Sequence, residues 1–410
     1  MRVDLDTGSS DFWVFSTSLK KEKLDILKEG NHVIFDPRKS RSWRWPSHEW
    51  GGASRPLSFR RKQLEWDIEY GDGSSASGIV GFDKVEIGEL TILQQPVQLA
   101  KLVSGRQFSE GSADGILGLA FGHLNSVRPD PVKTPLELMI EQNHLKEQLF
   151  TVNLSSECFF TFGFIDQPTR AGRDIHWVDV DSRGGFWMFS SRHARVGNKR
   201  LKRWGGAAIA DTGSSIILTH PHIVWMIYKQ IDGARYDSRQ PGWVYPVGAH
   251  VPEVAFSVGD DDSCMIVINQ KNMQHSDLGS GYVFGAIQEN PAYESGGLQF
   301  DIFGTPFFRQ VYAIFDIKGE RFGVIKESHD EILATEICDS PISMENPREP
   351  GEDEIEDSVD GSIREEFPRR SSTRRSSTMM SRMDSPITEM PLEPQVIPEE
   401  SETTVQRDAS

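Results

Sequence analysis

The sequence predicts a mainly β protein built as two lobes about an approximate twofold axis, with a few short helices and a disordered C-terminal tail. Three observations support this. The stretch Val3-Asp4-Leu5-Asp6-Thr7-Gly8-Ser9-Ser10 returns past the middle as Ile209-Ala210-Asp211-Thr212-Gly213-Ser214-Ser215. Each copy is an apolar, β-prone lead-in, an Asp and then Thr-Gly-Ser-Ser, and such an internal repeat outranks local patterns when a fold is inferred. At 410 residues the chain is long enough for two hydrophobic cores, and its apolar runs are strand-sized. Beyond about Ser328 it turns to Glu, Asp, Ser, Thr, Pro and Arg with few aromatic residues, too little apolar surface to offset the entropy of ordering. The organisation that follows is a first lobe over 1–172, a second over 173–328 and a tail over 329–410.

The repeated Asp residues, Asp6 and Asp211, are the chemical centre. Two carboxyls held close together cannot both ionise easily, so one pKa falls, the other rises, and the values belong to the pair. A pair sharing one proton can activate a water and protonate a departing amide nitrogen, the two tasks that cleavage of a peptide bond by water requires. Gly8 and Gly213 permit a tight turn that aims backbone N–H groups at each carboxylate. The Ser9 and Ser214 hydroxyls are placed to donate to the outer carboxylate oxygens. One Asp-Thr-Gly is ordinary turn chemistry; two copies a domain apart, each after a strand-like run, point to function.

Taken in order, Phe12-Trp13-Val14-Phe15 reads as a buried strand leaving Asp6. Residues Leu19 to Lys62 are basic and irregular, carrying Lys20, Lys21, Lys23, Arg38, Lys39, Arg41, Arg44, Arg60, Arg61 and Lys62; no known nucleic-acid-binding fold is legible in it, so it is expected to be a solvated loop face. Leu64 to Gly88 alternates as a hairpin with Gly71-Asp72-Gly73-Ser74 at its tip. Ala76 stands where a phosphate-binding glycine loop needs its third Gly, which rules out that loop. Thr134-Pro135-Leu136-Glu137 starts a helix, with Thr as N-cap and Glu three residues on; Leu138, Ile140 and Leu145 follow. Asn153-Leu154-Ser155 is a glycosylation sequon expected on a strand. Pro221 to Ile231 reads as helical, with Ile223, Ile227 and Ile231 on one face. Beside it, His220 and His222 lack a third ligand, so no metal is expected. Phe322-Gly323-Val324-Ile325 reads as the last strand before the tail, which repeats Arg369-Arg370-Ser371-Ser372-Thr373 as Arg374-Arg375-Ser376-Ser377-Thr378.

Composition narrows the classes. A formal net charge of −17 argues against nucleic acid as a partner. No run is long and apolar enough for a membrane helix. Cys158, Cys264 and Cys338 are too few and too irregularly spaced for a disulfide framework or a metal cluster.

Several stretches together resemble the pepsin-like aspartic endopeptidases, and most of all the secreted fungal acid proteases of the penicillopepsin and aspergillopepsin type. Trp66-Asp67-Ile68-Glu69-Tyr70-Gly71-Asp72-Gly73-Ser74-Ser75-Ala76-Ser77-Gly78 is similar to the family's flap hairpin. Ala113-Asp114-Gly115-Ile116-Leu117-Gly118-Leu119-Ala120 resembles the segment behind the first Asp, and Phe300-Asp301-Ile302-Phe303-Gly304-Thr305-Pro306-Phe307-Phe308 its counterpart in the second lobe. Phe162-Gly163-Phe164-Ile165-Asp166 and Phe315-Asp316 match as well, so the motifs run in family order from Asp6 to about Ile325. These enzymes are the reference case for coupled carboxyls, and the two-Asp mechanism is carried over from them.

The resemblance implies a bilobal pepsin-like fold and an acid endopeptidase with Asp6 and Asp211 catalytic and no cofactor. Trp13 is implied to bond the flap tyrosine, Tyr70. Tyr70, Gly71, Asp72 and Ser74 are implied to grip a protein or peptide substrate in extended form. Asp72 implies acceptance of Lys at the residue before the cut, where a charge pair would form; its plainer role is to suit a Gly-flanked turn. The family's second-lobe disulfide is replaced by Val near Val247 and Val283, whose packing is expected to offset part of the loss. A monomer in the extracellular space is the family expectation. No secretion signal precedes Met1-Arg2, which leads directly into the first strand; family members carry a signal, a propeptide and an N-terminal strand before this point. The alternative reading is therefore a catalytically impaired, truncated pepsin-like protein acting as a peptide-binding or interaction protein.

Overall fold

A computed structural model describes residues 1–46, 64–155, 158–293 and 299–327. The first half supplies β1 (Asp4–Asp6), β2 (Phe12–Phe15), helix α1 (Lys21–Glu29), β3 (Glu65–Glu69), β4 (Ser75–Ile87), β5 (Leu90–Ser104), helix α2 (Gln107–Glu110), β6 (Gly115–Gly118), helix α3 (Pro135–Glu141), β7 (Leu149–Asn153) and β8 (Phe159–Phe162).

Each copy of the repeat folds into the same three-strand unit. β1 delivers Asp6 at its end, the chain turns through Thr7 to Asp11 and leaves as β2, and β6 inserts between them, parallel to β1 and antiparallel to β2. In the second half Ala207–Ala210 leads to Asp211 and Ile217–Thr219 leaves; Asp301–Phe303 inserts between them, parallel to the first and antiparallel to the second. Threading a strand through the mouth of a turn needs close backbone approach, and a glycine provides it in both lobes. A Cβ on Gly118 would lie 2.5 Å from Ser10 Cα, and one on Gly304 would meet the Ser214 backbone.

The protein is mainly β and bilobal. Around the first unit, six strands form a sheet in the order β1-β6-β2-β5-β4-β3. A ten-stranded sheet joins the halves, running from Ile287–Glu289 through the second unit to Val311–Asp316, β7 and β8. Its seam is aromatic. Trp187 is fully buried beside Phe121, Phe150 and Phe315, with ring centroids 4.5, 5.7 and 5.1 Å away, and its indole N–H donates to Leu119 O at 3.0 Å. Trp187 thus ties the lobes by buried area and by a hydrogen bond that satisfies its own indole donor.

The start of α3 has the expected capping box, with Glu137 N–H donating to Thr134 Oγ1 at 3.2 Å and Thr134 N–H to Glu137 Oε2 at 2.8 Å. Helix Pro221–Tyr228 buries Ile223 and Ile227, whereas Ile231 is buried just past its end. The hairpin expected over Leu64 to Gly88 is β3 and β4, paired from Glu65↔Ile79 to Glu69↔Ser75. Asn153 closes β7 and is buried, its Oδ1 accepting from Ser155 N–H and Oγ. The basic stretch departs from the irregular loop expected: Lys21–Glu29 is a helix that buries Leu27 under an otherwise charged surface. Good helix formers outweigh the lack of an apolar stripe there. The two valines also differ from expectation. Val283 is fully buried opposite Tyr245, while Val247 lies beyond its strand and is 56% exposed. Tyr245 therefore takes the place across from Val283. Arg60, Arg61, Lys62 and Cys338, with the tail from 328 onward, lie outside the described residues.

Candidate active site

The two turns that follow the repeated strands face each other. Thr7 N–H donates to Thr212 Oγ1 at 3.0 Å and Thr212 N–H to Thr7 Oγ1 at 2.9 Å; each hydroxyl passes its own proton to the opposite strand, Thr7 to Ala210 O at 2.8 Å and Thr212 to Leu5 O at 2.6 Å. These four bonds exchange partners across the lobes and lock the turns in register. Each turn presses its glycine against the other's carboxylate. A Cβ on Gly8 would lie 2.5 Å from Asp211 Oδ1, and one on Gly213 would overlap Asp6 Oδ1. Any side chain at either glycine would push the carboxylates apart.

Asp6 and Asp211 are both buried, and the structure brings them together. Gly8 N–H donates to Asp6 Oδ1 at 2.8 Å and Ser9 Oγ to Asp6 Oδ2 at 2.5 Å, as expected from the sequence. Gly213 N–H donates to Asp211 Oδ1 at 2.9 Å. The expectation for Ser214 fails: its hydroxyl donates to Ile216 O at 2.9 Å and no side-chain hydroxyl among the described residues reaches Asp211 Oδ2, although the Ser214 N–H and the Asp6 carboxyl also bond Asp211. The surroundings therefore differ although the motifs do not. Burial raises both carboxyls. Asp211 stands well above the usual range, and the charge of Asp6 adds to its burial; in Asp6 the Ser9 hydroxyl and the Gly8 N–H oppose the rise.

The hairpin β3–β4 carries Tyr70, near enough to Asp6 and Asp11 for their charges to act on its hydroxyl. Trp13, buried in β2, donates from its indole N–H to Tyr70 Oη at 2.7 Å, as the resemblance implied. Trp66 stacks on Trp13 at 6.0 Å, and Phe108 of α2 meets Trp13 at 5.2 Å and Tyr70 at 5.7 Å. Desolvation keeps the Tyr70 hydroxyl protonated far above its ordinary pKa. At the tip, Tyr70 N–H donates to Ser74 O at 2.7 Å and Gly73 N–H to Tyr70 O at 2.9 Å, with Gly73 at φ 79°. Gly71 and Asp72 are exposed and Ser74 is buried. Asp72 Oδ1 accepts from Ser74 N–H at 2.9 Å, so Asp72 does perform the turn role. Its Oδ2 accepts from Gln107 Nε2.

The eukaryotic aspartyl protease family model matches residues 1–326. The chain belongs to that family. Among its relatives, Aspergillopepsin-1 of Aspergillus pseudoglaucus is 34% identical over 323 residues, 78% of this chain and 74% of that protein. Penicillopepsin-1 of Penicillium rubens is 33% identical over 332 residues, 79% and 74% of the two chains. A putative aspergillopepsin A-like aspartic endopeptidase of Arthroderma otae is 35% identical over 327 residues, 77% and 70%. As an aspartyl protease the chain is a hydrolase, an aspartic-type endopeptidase whose substrates are peptides, and the binding-only alternative is not favoured. Among the described residues no helix is long and apolar enough to cross a membrane, and no group of acidic, His or Cys side chains is arranged to hold a metal.

Reading the sequence missed three parts of this aspartyl protease site. Thr7 and Thr212 were treated only as turn residues, although their presence in both copies at one position was the available signal. Asp11 is buried beneath the first turn, with Oδ1 accepting from Gln98 Nε2 at 2.6 Å, Ser126 Oγ at 2.8 Å and Ser126 N–H at 3.1 Å. Gln107 touches the flap from a helix that no periodicity announced.

Proposed function

We propose that Asp6 and Asp211 are the catalytic pair and that they share one proton, held on Asp211 while Asp6 is ionised. The observation that carries this reading is the unequal donation to the two carboxylates: Asp6 accepts from the Ser9 hydroxyl as well as the Gly8 N–H, whereas the donors that serve Asp211 from its own turn are the backbone N–H groups of Gly213 and Ser214. In the cleavage step the Asp6 carboxylate takes a proton from water as the oxygen attacks the scissile carbonyl carbon, and Asp211 gives its proton to the carbonyl oxygen. Collapse of the tetrahedral diol breaks the C–N bond as Asp6 gives its proton to the departing nitrogen and a diol hydroxyl gives its proton back to Asp211, which leaves the carboxyl product and restores the starting state. Both reacting groups are buried, where a fixed donor set acts more strongly than in water. Gly8 and Gly213 give the closeness, and the threonine exchange keeps the register.

The flap, with Tyr70, Gly71, Asp72 and Ser74 supported by Trp13, closes on an extended peptide and pairs with its backbone as an added strand would. Asp72 supports acceptance of Lys before the cut: it stands exposed at the tip, and the donors on it are neutral and so do not cancel its charge when it is ionised. Residues 1–172 and 173–328 act as the two lobes that flank the cleft. Secretion and a monomeric state follow the resemblance to fungal acid proteases. Cleavage of haemoglobin at acid pH, blocked by pepstatin and abolished in Asp211→Asn, tests the catalytic assignment; turnover surviving that substitution overturns it.

A further inference from the structure

We infer that Gln107 is a positioning residue for recognition of a cationic substrate side chain, holding the Asp72 carboxylate of the flap tip in one orientation. The inference rests on the reading of Asp72 given above. Gln107 opens α2 and donates from Nε2 to Asp72 Oδ2 at 2.5 Å, while Ser74 N–H donates to Asp72 Oδ1 at 2.9 Å. The two carboxylate oxygens are thus held by donors from different elements, which fixes the side chain about its last bond. The approach of this segment to the flap is close enough to require glycine: Gly105 has φ 109°, and a Cβ there would lie 2.7 Å from Ser74 Cβ and 2.9 Å from Gln107 Nε2. One residue further, Phe108 packs edge-on against Tyr70 and Trp13. The segment from Gly105 to Phe108 therefore meets both the tip of the flap and its buried tyrosine.

The chemistry of the donor matters. A neutral amide orients Asp72 without cancelling its charge, whereas a Lys or Arg in that place would satisfy the carboxylate and leave nothing for a substrate cation. Arg106 and Glu110 flank the segment and Glu69 lies across the hairpin, yet Asp72 forms no ion pair among the described residues. Partial burial raises the Asp72 carboxyl, and the bonds from Ser74 and Gln107 oppose that rise by favouring the charged form.

The test compares peptides that carry Lys or Leu before the cut, using the full chain as wild type, Gln107→Met, Asp72→Asn and the double variant. Active sites are counted by pepstatin titration so that folding losses cancel. Gln107→Met keeps the length and removes the donor. It is expected to lower kcat/KM for the Lys peptide about tenfold relative to the Leu peptide, the scale of one hydrogen bond to a charged group. The acid limb of the Lys-peptide pH profile is expected to move to higher pH while the Leu-peptide profile stays in place, a readout that a merely structural role would not move. In the Asp72→Asn background, Gln107→Met is expected to leave the Lys-to-Leu ratio unchanged. If Asp72→Asn itself leaves that ratio at the wild-type value, the reading of Asp72 fails and the inference with it. If Asp72→Asn collapses the ratio but Gln107→Met does not, or if Gln107→Met lowers the ratio equally with and without Asp72, the inference alone is overturned.

Discussion

Asp11 offers the most informative perturbation outside the catalytic pair. It is fully buried with no cationic partner among the described residues; burial, with a smaller contribution from the charge of Asp6, pushes its carboxyl from 3.8 up to about 6. At about 1.36 kcal/mol per pH unit, that difference corresponds to about 3 kcal/mol. The folded-state value lies above the unfolded one, so the contribution is fully present below about pH 4 and is lost as pH rises through about 6. The first lobe thus becomes intrinsically less stable toward neutral pH, and Asp11→Asn should remove this dependence. The amide can replace the protonated acid because nearly all the donors converge on Oδ1: Gln98 Nε2 at 2.6 Å, Ser126 Oγ at 2.8 Å, Ser126 N–H at 3.1 Å and Asn125 Nδ2 at 3.4 Å. Only Ser126 N–H, at 3.3 Å, also reaches Oδ2. For a domain of this size about 1 kcal/mol moves the melting midpoint by about 2–4 °C, so the advantage of Asp11→Asn over wild type should grow by roughly 6–12 °C between pH 4 and pH 7. Other carboxyls titrate over the same range in both proteins, and the difference between them isolates Asp11. An advantage that stays constant across that range refutes the reasoning.

Three further outcomes are expected. Ser9→Ala removes the 2.5 Å bond that favours ionised Asp6, so the acid limb of kcat/KM should move to higher pH; a profile superimposable on wild type would show that the hydroxyl does not set this limb. Thr212→Val deletes the bond to Leu5 O and the acceptor for Thr7 N–H; at about 1 kcal/mol each, urea unfolding should show a loss of about 2 kcal/mol, and turnover should fall with it because the carboxylates lose their register. Trp13→Phe leaves Tyr70 Oη without its 2.7 Å donor, and peptide kcat/KM should drop about tenfold while circular dichroism is unchanged.

How far the site could be read from the sequence depends on the range of the interaction that fixes each residue. Asp6, Gly8 and Ser9 were legible because their bonds span two or three residues and follow from turn chemistry. The flap was legible because period-two alternation and a Gly-rich tip are local signals. Thr7 and Thr212 were not, since the partners of each hydroxyl lie 203 to 207 residues away and only the assembled lobes say which atoms meet. Asp11 is linked to Gln98 and Ser126, 87 and 115 residues on, and reads in the sequence as one more polar residue after a turn. The two valines were misjudged for a related reason: strand pairing puts Tyr245 opposite Val283, and that register is set by the hairpin as a whole.

Ser214 shows most clearly why a repeat is not a symmetry of function. The two turns carry the same Asp-Thr-Gly-Ser-Ser, and a local argument assigns both first serines the same task. Yet Ser9 gives its proton to Asp6 Oδ2 and Ser214 gives its own to Ile216 O. A pair of identically solvated carboxylates would have no preferred site for a single shared proton, and the acid and base roles would be interchangeable. On the proposed assignment, withholding one hydroxyl from Asp211 breaks that degeneracy: the Ser9 hydroxyl and the Gly8 N–H make Asp6 the weaker base, which stays ionised, and Asp211, served by backbone donors, holds the proton. Restoring the missing donor should therefore weaken the distinction. A variant that frees Ser214 to donate to Asp211 should pull the basic limb of the pH profile to lower pH, because the proton on Asp211 becomes easier to lose. If that limb instead holds its position while the Ser9→Ala acid limb moves, the proton is held by the proximity of the two charges alone and not by the count of donors around each.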